Sequence, residues 1–242
     1  MCGRFTLTST PVEIADFFGA AQQGLDLAPN YNVAPTTDVV TIVGDGNEMA
    51  LELMHWGLVP SWAKDISIGS RMINARSETL AEKPSFRRAL ARRRCLVVAN
   101  GFYEWQAVPG QKRKQPMYIK REDGAPLAFA GLWEIWRPDG DPKRADQELH
   151  SCTIVTCAAN EKIAPVHDRM PVILERPDWS AWLDAEHAPV ASAIELLRAA
   201  PDDVLTVYPV STDVNRVGIN HAQLIDEIDI DIDNQDGQMR LL

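Results

Sequence analysis

The chain opens with Met1-Cys2-Gly3-Arg4-Phe5, and the rest of the sequence is organised around this stretch. Phe5-Thr6-Leu7 is typical of the start of a β-strand, Gly3 lets the backbone pack closely, and Arg4 can hold an anion through two N–H groups. These residues predict that the N-terminus is tied into a sheet, whereas most chain ends fray.

Cys2 carries unusual chemistry if Met1 is removed, because it then has both an α-amine and a thiol. In unfolded peptides these groups titrate near pH 8 and 8.5, so both are partly deprotonated at about neutral pH. The amine can form an imine with an aldehyde or ketone, on which the thiolate closes a five-membered thiazolidine ring. Alternatively, the thiolate attacks an acyl carbon, as N-terminal nucleophiles do.

Composition indicates an ordinary globular protein, with 242 residues, 45% hydrophobic residues and 24% charged residues. We expect no membrane span and no signal peptide. The four cysteines predict reduced thiols and a cytoplasmic location.

The net charge of −10 opposes DNA binding at face value. However, residues 1–121 hold 15 Lys/Arg against 11 Asp/Glu, while residues 122–242 hold 9 against 23, so a basic groove in the first half is compatible with the charge.

Short, irregularly spaced strand patterns without βαβ units exclude a doubly wound parallel sheet. We predict an α+β fold: a single domain over residues 1–225, built on a curved, mostly antiparallel β-sheet or barrel with peripheral helices. Residues 226–242 read as an acidic, disordered tail. Asn100-Gly101 predicts a tight turn in a hairpin-like unit. Residues 56–64 read as a surface loop and residues 160–164 as a short helix.

Four polar positions interrupt apolar surroundings and are candidates for chemistry. Asn74 and Arg76 share one side of an extended segment. Glu104 lies between Tyr103 and Trp105, and an aromatic wall would raise its pKa and suit proton transfer. His167 lies beside an Asp and an Arg in a proline-flanked loop, which suits an oriented acid-base group. No spacing of Cys or His residues predicts a metal site.

Six separated motifs, together covering most of residues 1–225, resemble the SOS response-associated peptidase (SRAP) family of abasic-site processing proteins. They are Met1-Cys2-Gly3-Arg4-Phe5, Tyr31-Asn32-Val33-Ala34-Pro35, Trp56-Gly57-Leu58-Val59-Pro60-Ser61-Trp62, Ile73-Asn74-Ala75-Arg76-Ser77-Glu78-Thr79, Gly101-Phe102-Tyr103-Glu104-Trp105 and His167-Asp168-Arg169-Met170-Pro171. The chain departs from the expected family pattern at Val98-Ala99-Asn100-Gly101, where the family is expected to have Pro-Ala-Asp-Gly.

The resemblance implies a DNA damage response protein that recognises abasic sites in single-stranded DNA. Cys2, after loss of Met1, would attack the ring-opened sugar aldehyde and form a thiazolidine DNA–protein crosslink. Asn74 would hold the N-terminal residue and the sugar, Glu104 would shuttle protons, and His167 would help to open the sugar ring. The family is also credited with autoproteolysis that exposes the cysteine and with cutting DNA at the abasic site.

The same resemblance assigns DNA contacts to three residues outside the reacting group. Arg4 and Arg76 would grip phosphates, and Trp62 would stack or wedge near the DNA, as single-strand binding requires. From the residue spacing we expect no cofactor and no metal. We expect a monomer that is associated with the nucleoid when it is bound to DNA.

Two other functions stay open from the sequence. A glutamine amidotransferase of the N-terminal nucleophile type also begins with an exposed Cys-Gly and uses an oxyanion hole. A non-catalytic single-strand DNA binder would leave Cys2 without a role.

Overall fold

The computed structural model describes residues 2–22, 24–45, 47–110, 112–138 and 147–229. The strands in these ranges are β1 Phe5–Leu7, β2 Asn30–Val33, β3 Asp38–Gly44, β4 Met49–Trp56, β5 Asn74–Arg76, β6 Arg94–Ala99, β7 Gly101–Gln106, β8 Gln115–Arg121, β9 Leu127–Trp136, β10 Leu149–Ala158, β11 Arg169–Pro171 and β12 Leu205–Pro209. The α-helices there are α1 Pro11–Phe18, α2 Arg87–Arg92, α3 Trp179–Leu183 and α4 Val190–Glu195.

The strands form two sheets. The first has five strands in the order β12-β8-β7-β1-β2. In the second, β10, β4, β3, β6 and β9 close into a ring because β9 pairs with both β6 and β10, while β11 and β5 extend from β10. Every pairing is antiparallel except those of β10 with β4 and β5. The predicted α+β fold with a curved, mostly antiparallel sheet or barrel is therefore confirmed.

Aromatic side chains fill the core between the two sheets. Phe5 of β1 contacts Trp56 at a ring-centroid distance of 5.0 Å and Phe129 at 6.2 Å. Phe102 of β7 lies 5.8 Å from Phe129 with the rings nearly perpendicular, a favourable geometry for aromatic pairs. Because Phe5 is fully buried, the N-terminal strand is anchored in the core, as its sequence predicted.

The prediction of a hairpin at Asn100-Gly101 is wrong. β6 pairs with β3 and β9, whereas β7 pairs with β1 and β8, so the chain crosses between sheets at Asn100. The Asn100 Oδ1 atom accepts hydrogen bonds from the backbone N–H groups of Thr8 and Ser9, and its Nδ2 donates to Ser9 Oγ at 2.8 Å. Gly101 is required because a Cβ there would meet the Tyr118 hydroxyl at 2.3 Å.

We expect Asn100→Ala to lower the free energy of unfolding by about 1–3 kcal/mol, because the backbone N–H groups of Thr8 and Ser9 lose their acceptor. Urea denaturation measures this loss. Asn100→Asp is the matched control, since it keeps both acceptor bonds and is expected to stay within about 1 kcal/mol of the parent. Equal destabilisation by Asp and Ala would contradict this role for Asn100.

Three other local expectations differ from the structure. The loop after β4 is not wholly on the surface, because Leu58 and Val59 are fully buried and only its far end is exposed. Residues 160–164 form turns rather than a helix. The acidic segment begins with an ordered contact, since Ile228 N–H donates to the Pro209 carbonyl at 3.0 Å. The rest of the predicted tail, residues 230–242, lies outside the described residues.

Candidate active site

The C-terminal half of β10 forms the floor of the candidate site. On one flank β5 runs parallel to it, with Asn74 opposite Ile154. On the other flank β11 runs antiparallel, with Arg169 opposite Ala158. Asn74 and the loop that carries His167 therefore lie on opposite sides of one strand.

Cys2 is fully buried and is bound directly by a predicted site residue. Asn74 Nδ2 donates to the Cys2 carbonyl at 2.7 Å. Burial raises the pKa of the Cys2 thiol far above its usual range, and the nearby Glu104 carboxylate raises it further. The structure thus brings Cys2, Asn74 and Glu104 together and keeps the thiol protonated near neutral pH.

Glu104 lies in β7, which pairs directly with β1 next to the N-terminus. Only 2% of its surface is exposed. Burial raises the pKa of this carboxyl above its usual value, because a low-polarity environment disfavours the charged form. The predicted desolvation is therefore present, although Tyr103 and Trp105 lie on the opposite face of β7 from Glu104. A carboxyl with a raised pKa can both give and take a proton.

His167 is held as a neutral ring. The backbone N–H of Arg169 donates to its Nδ1 at 3.0 Å, so the ring proton of the neutral form is on Nε2. Asp168 Oδ1 lies 2.8 Å from the same nitrogen, a contact that is attractive only when the ring is protonated. Burial lowers the pKa of His167 below its usual value, which favours the neutral tautomer.

Arg169 joins the two flanks of the site, a role that the sequence did not reveal. Its guanidinium makes two bonds to the Glu78 carboxylate, at 3.0 and 2.9 Å, and Nη2 donates to the Thr156 carbonyl of β10 at 2.7 Å. Glu78 lies just after β5, whereas Arg169 begins β11. The only sequence signal was that both residues lie within family motifs.

We expect Arg169→Lys to lower the free energy of unfolding by about 1–2 kcal/mol, because one ammonium cannot replace a bidentate guanidinium. Urea denaturation measures the change. Arg198→Lys is the matched control: its pair with Asp178 is longer, at 3.3 Å, and Arg198 is 65% exposed, so its loss should be near zero. Equal losses in the two variants would contradict the bridging role of Arg169.

Trp56 also supports the site, although the sequence placed it in a surface loop. It is fully buried against Phe5, and its indole N–H donates to the Ile73 carbonyl at 2.9 Å. Trp56 therefore fixes the residue directly before Asn74.

The three predicted DNA contacts differ in their exposure and in their partners. Arg76 is exposed next to Asn74, and Trp62 is 59% exposed. Arg4 instead donates through Nη1 to Asn32 Oδ1 at 2.6 Å and to the Val214 carbonyl at 2.8 Å. This binds the segment after β12 to the first sheet, so Arg4 has a structural role here and its contact with DNA stays a prediction.

A basic cavity of about 410 Å³ opens beside Asn74. Its cationic lining residues are Arg71, Arg76 and Lys83, and Phe86 contributes an apolar surface. The sequence had not singled out Arg71 or Lys83, and only the positive balance of residues 1–121 indicated such a groove.

Within the described ranges, no group of three or more Cys, His, Asp or Glu residues is arranged to hold a metal ion. The helices in those ranges are too short or too polar to cross a membrane.

Comparison with known proteins gives a consistent result. Residues 1–217 match the model of the SOS response associated peptidase (SRAP) family. The chain is similar to "Abasic site processing protein YoqW" of Bacillus subtilis, with 43% identity over 230 residues that cover 93% of this chain and 99% of the relative. It is 32% identical over 218 residues to "Abasic site processing protein HMCES" of Gallus gallus, covering 78% of this chain and 63% of that protein.

Solved structures agree on the fold. A protein from Bacteroides thetaiotaomicron superposes with a TM-score of 0.82 at 23% identity, covering 93% of this chain and 99% of that one. A phage-related protein from Bordetella bronchiseptica, 34% identical, superposes with a TM-score of 0.68 and covers 93% of this chain and all of its own. The chain therefore belongs to the SOS response associated peptidase (SRAP) family.

Proposed function

We propose that this protein processes abasic sites in single-stranded DNA by forming a covalent thiazolidine crosslink through Cys2 after loss of Met1. The observation that carries the proposal is the convergence of Cys2, Asn74 and Glu104 in one buried place beside a basic cavity. An aldehyde is the electrophile that uses both the amine and the thiol of such a cysteine. The names of the relatives, abasic site processing proteins, agree with this substrate.

The crosslink forms in two steps that together release one water. The Cys2 amine adds to C1′ of the open-chain sugar, and the former aldehyde oxygen leaves as water after it takes up a proton from solvent, which gives an iminium ion. The thiol then adds to that carbon: a C–S bond forms, the sulfur proton passes to the Glu104 carboxylate, and the C=N electron pair returns to nitrogen. Imine formation precedes attack by the thiol, because the five-membered ring closes on the carbon of the C=N bond.

The other two site residues act on the substrate, and Asn74 also orients the nucleophile. Neutral His167 offers its Nε2 proton to a sugar oxygen, which favours opening of the ring. Asn74 uses Nδ2 to orient Cys2, while its Oδ1 is buried and accepts no hydrogen bond from a described residue, so it can accept one from a sugar hydroxyl.

The DNA follows the basic cavity in this proposal. Arg76 binds a backbone phosphate and exposed Trp62 stacks on a base, which is how single strands are bound without sequence preference. Removal of Met1 by the protein itself and cleavage of DNA at the abasic site are further activities that we propose for the same residues.

One experiment separates this function from the two alternatives. The protein is mixed with single-stranded DNA that holds either an abasic site or a tetrahydrofuran analogue, which cannot open to an aldehyde, and products are run on a denaturing gel. We expect a covalent band with the abasic site only. Glutamine hydrolysis without a band would favour an amidotransferase, and equal reversible binding of both DNAs without a band would favour a non-catalytic binder.

A further inference from the structure

The connection between β7 and β8 carries a basic run, Lys112-Arg113-Lys114, that has no part in the function described so far. β7 ends at Gln106 and β8 begins at Gln115, and these two residues pair at the base of the hairpin. All three basic side chains are exposed. None of them forms an ion pair with an Asp or Glu in the part of the chain that the structure describes, so their charge is available to a ligand.

Contacts at its base direct this hairpin toward the candidate site. Gln106 Nε2 donates to the Pro165 carbonyl at 3.3 Å, in the loop that leads to His167. Burial raises the pKa of Glu104, and the Lys114 ammonium opposes this rise. Burial lowers the pKa of His167, and Lys114 lowers it further. The charge of this one ammonium therefore acts on both groups, and the base of the hairpin that carries it is bound to the loop before His167.

The basic cavity lies on the other flank. Its cationic residues accompany Asn74 of β5, which holds the Cys2 carbonyl. The Cys2 thiol in turn lies close enough to Glu104 to feel its charge. Positive charge thus stands on both sides of Cys2. A nucleotide chain whose abasic sugar sits at Cys2 also has a phosphate on each side, so the two patterns match.

We propose that Lys114, with Lys112 and Arg113, binds the phosphates on one side of the abasic sugar, while Arg76 and Lys83 bind those on the other. The inference rests on the proposed function, because it takes DNA at Cys2 as the substrate. Two separate clusters would hold both flanks of the strand and fix the sugar between them.

Asp168 places negative charge on the same flank. It is 87% exposed, and its charge acts on both Glu104 and His167. The Lys114 ammonium acts on the same two groups with the opposite sign, so it offsets the Asp168 charge there.

The test uses two oligonucleotides with a tetrahydrofuran site at one end, so that the flanking strand lies only on the 5′ side or only on the 3′ side. Reversible binding is measured for the parent, Lys114→Gln and Arg76→Gln. We expect each variant to weaken binding of a different oligonucleotide. The loss should be about threefold to fivefold near 0.15 M salt, because each variant neutralises one phosphate fewer and so releases fewer counterions. With an internal site, each variant should lower the salt slope by about 0.7.

Lys120→Gln is the matched control, because Lys120 is a β8 lysine whose ammonium lies 6.0 Å from the Tyr208 ring centroid. It should leave both affinities unchanged. Unchanged binding in Lys114→Gln, or weakening of the same oligonucleotide by both variants, would overturn the inference. The parent protein's covalent product on true abasic DNA is scored separately: its presence without the flank pattern rejects this inference alone, whereas its absence rejects the proposed function.

Discussion

Cys2→Ala is expected to abolish the covalent DNA product completely while leaving reversible binding of abasic single-stranded DNA intact. The alanine variant keeps an α-amine and can form an imine, but an imine hydrolyses unless a second nucleophile captures it. In the function that we propose, the thiol of Cys2, which is buried next to Asn74 and Glu104, performs the capture. A denaturing gel of the reaction, with binding measured separately, checks both halves of the prediction.

Cys157→Ala is the matched control for general loss of a thiol. Cys157 is a free cysteine in β10 close to Arg169, yet it is not part of the proposed chemistry. It should give the covalent product at the parental yield. A band that survives in Cys2→Ala would mean that another amine or thiol attacks the sugar.

Glu104→Gln is expected to slow crosslinking by about 10²–10⁴-fold, the usual effect of losing a general acid-base group. Glutamine has nearly the same shape, so DNA affinity and folding should change little. The pH dependence gives a second readout. Burial raises the pKa of Glu104, so the carboxylate that takes the thiol proton forms only above the usual carboxyl range, and the parental rate should rise with pH there.

In Glu104→Gln this rise should disappear, leaving only the rise that comes from deprotonation of the α-amine at higher pH. Single-turnover rates measured across the pH range show the difference. Equal losses of DNA binding and crosslinking would indicate a folding role for Glu104. An unchanged pH profile with a normal rate would exclude it from proton transfer.

The sequence predicted the class of fold and the residues that meet at the candidate site because their signals are local. Apolar and β-branched runs indicate strands such as β3 and β9, and Cys2, Asn74 and Glu104 each lie in a short motif. The local pattern at Asn100-Gly101 predicted a tight turn, but the chain crosses from one sheet to the other there. β7 pairs with β1, which lies about 95 residues earlier in the chain. No local pattern encodes so distant a partner.

The supporting residues were missed for the same reason. Arg169 and Glu78 are 91 positions apart, and each looks like an ordinary charged residue until β10 brings the flanking elements together. Trp56 was taken for a surface residue because glycine and proline follow it. The structural bonds of Arg4 to Asn32 and Val214 were missed in the same way, because these partners come together only in the folded chain.

The central claim is that the α-amine and the thiol of Cys2, at the mature N-terminus, together capture the sugar. Mass spectrometry of the covalent product, formed without any reducing agent and digested with trypsin and nuclease, tests it most directly. We expect an adduct on the peptide Cys2-Gly3-Arg4, lacking Met1, with a mass equal to that of the peptide plus the sugar fragment minus one water. An adduct on a lysine peptide that appears only after borohydride reduction, or one that retains Met1, would contradict it.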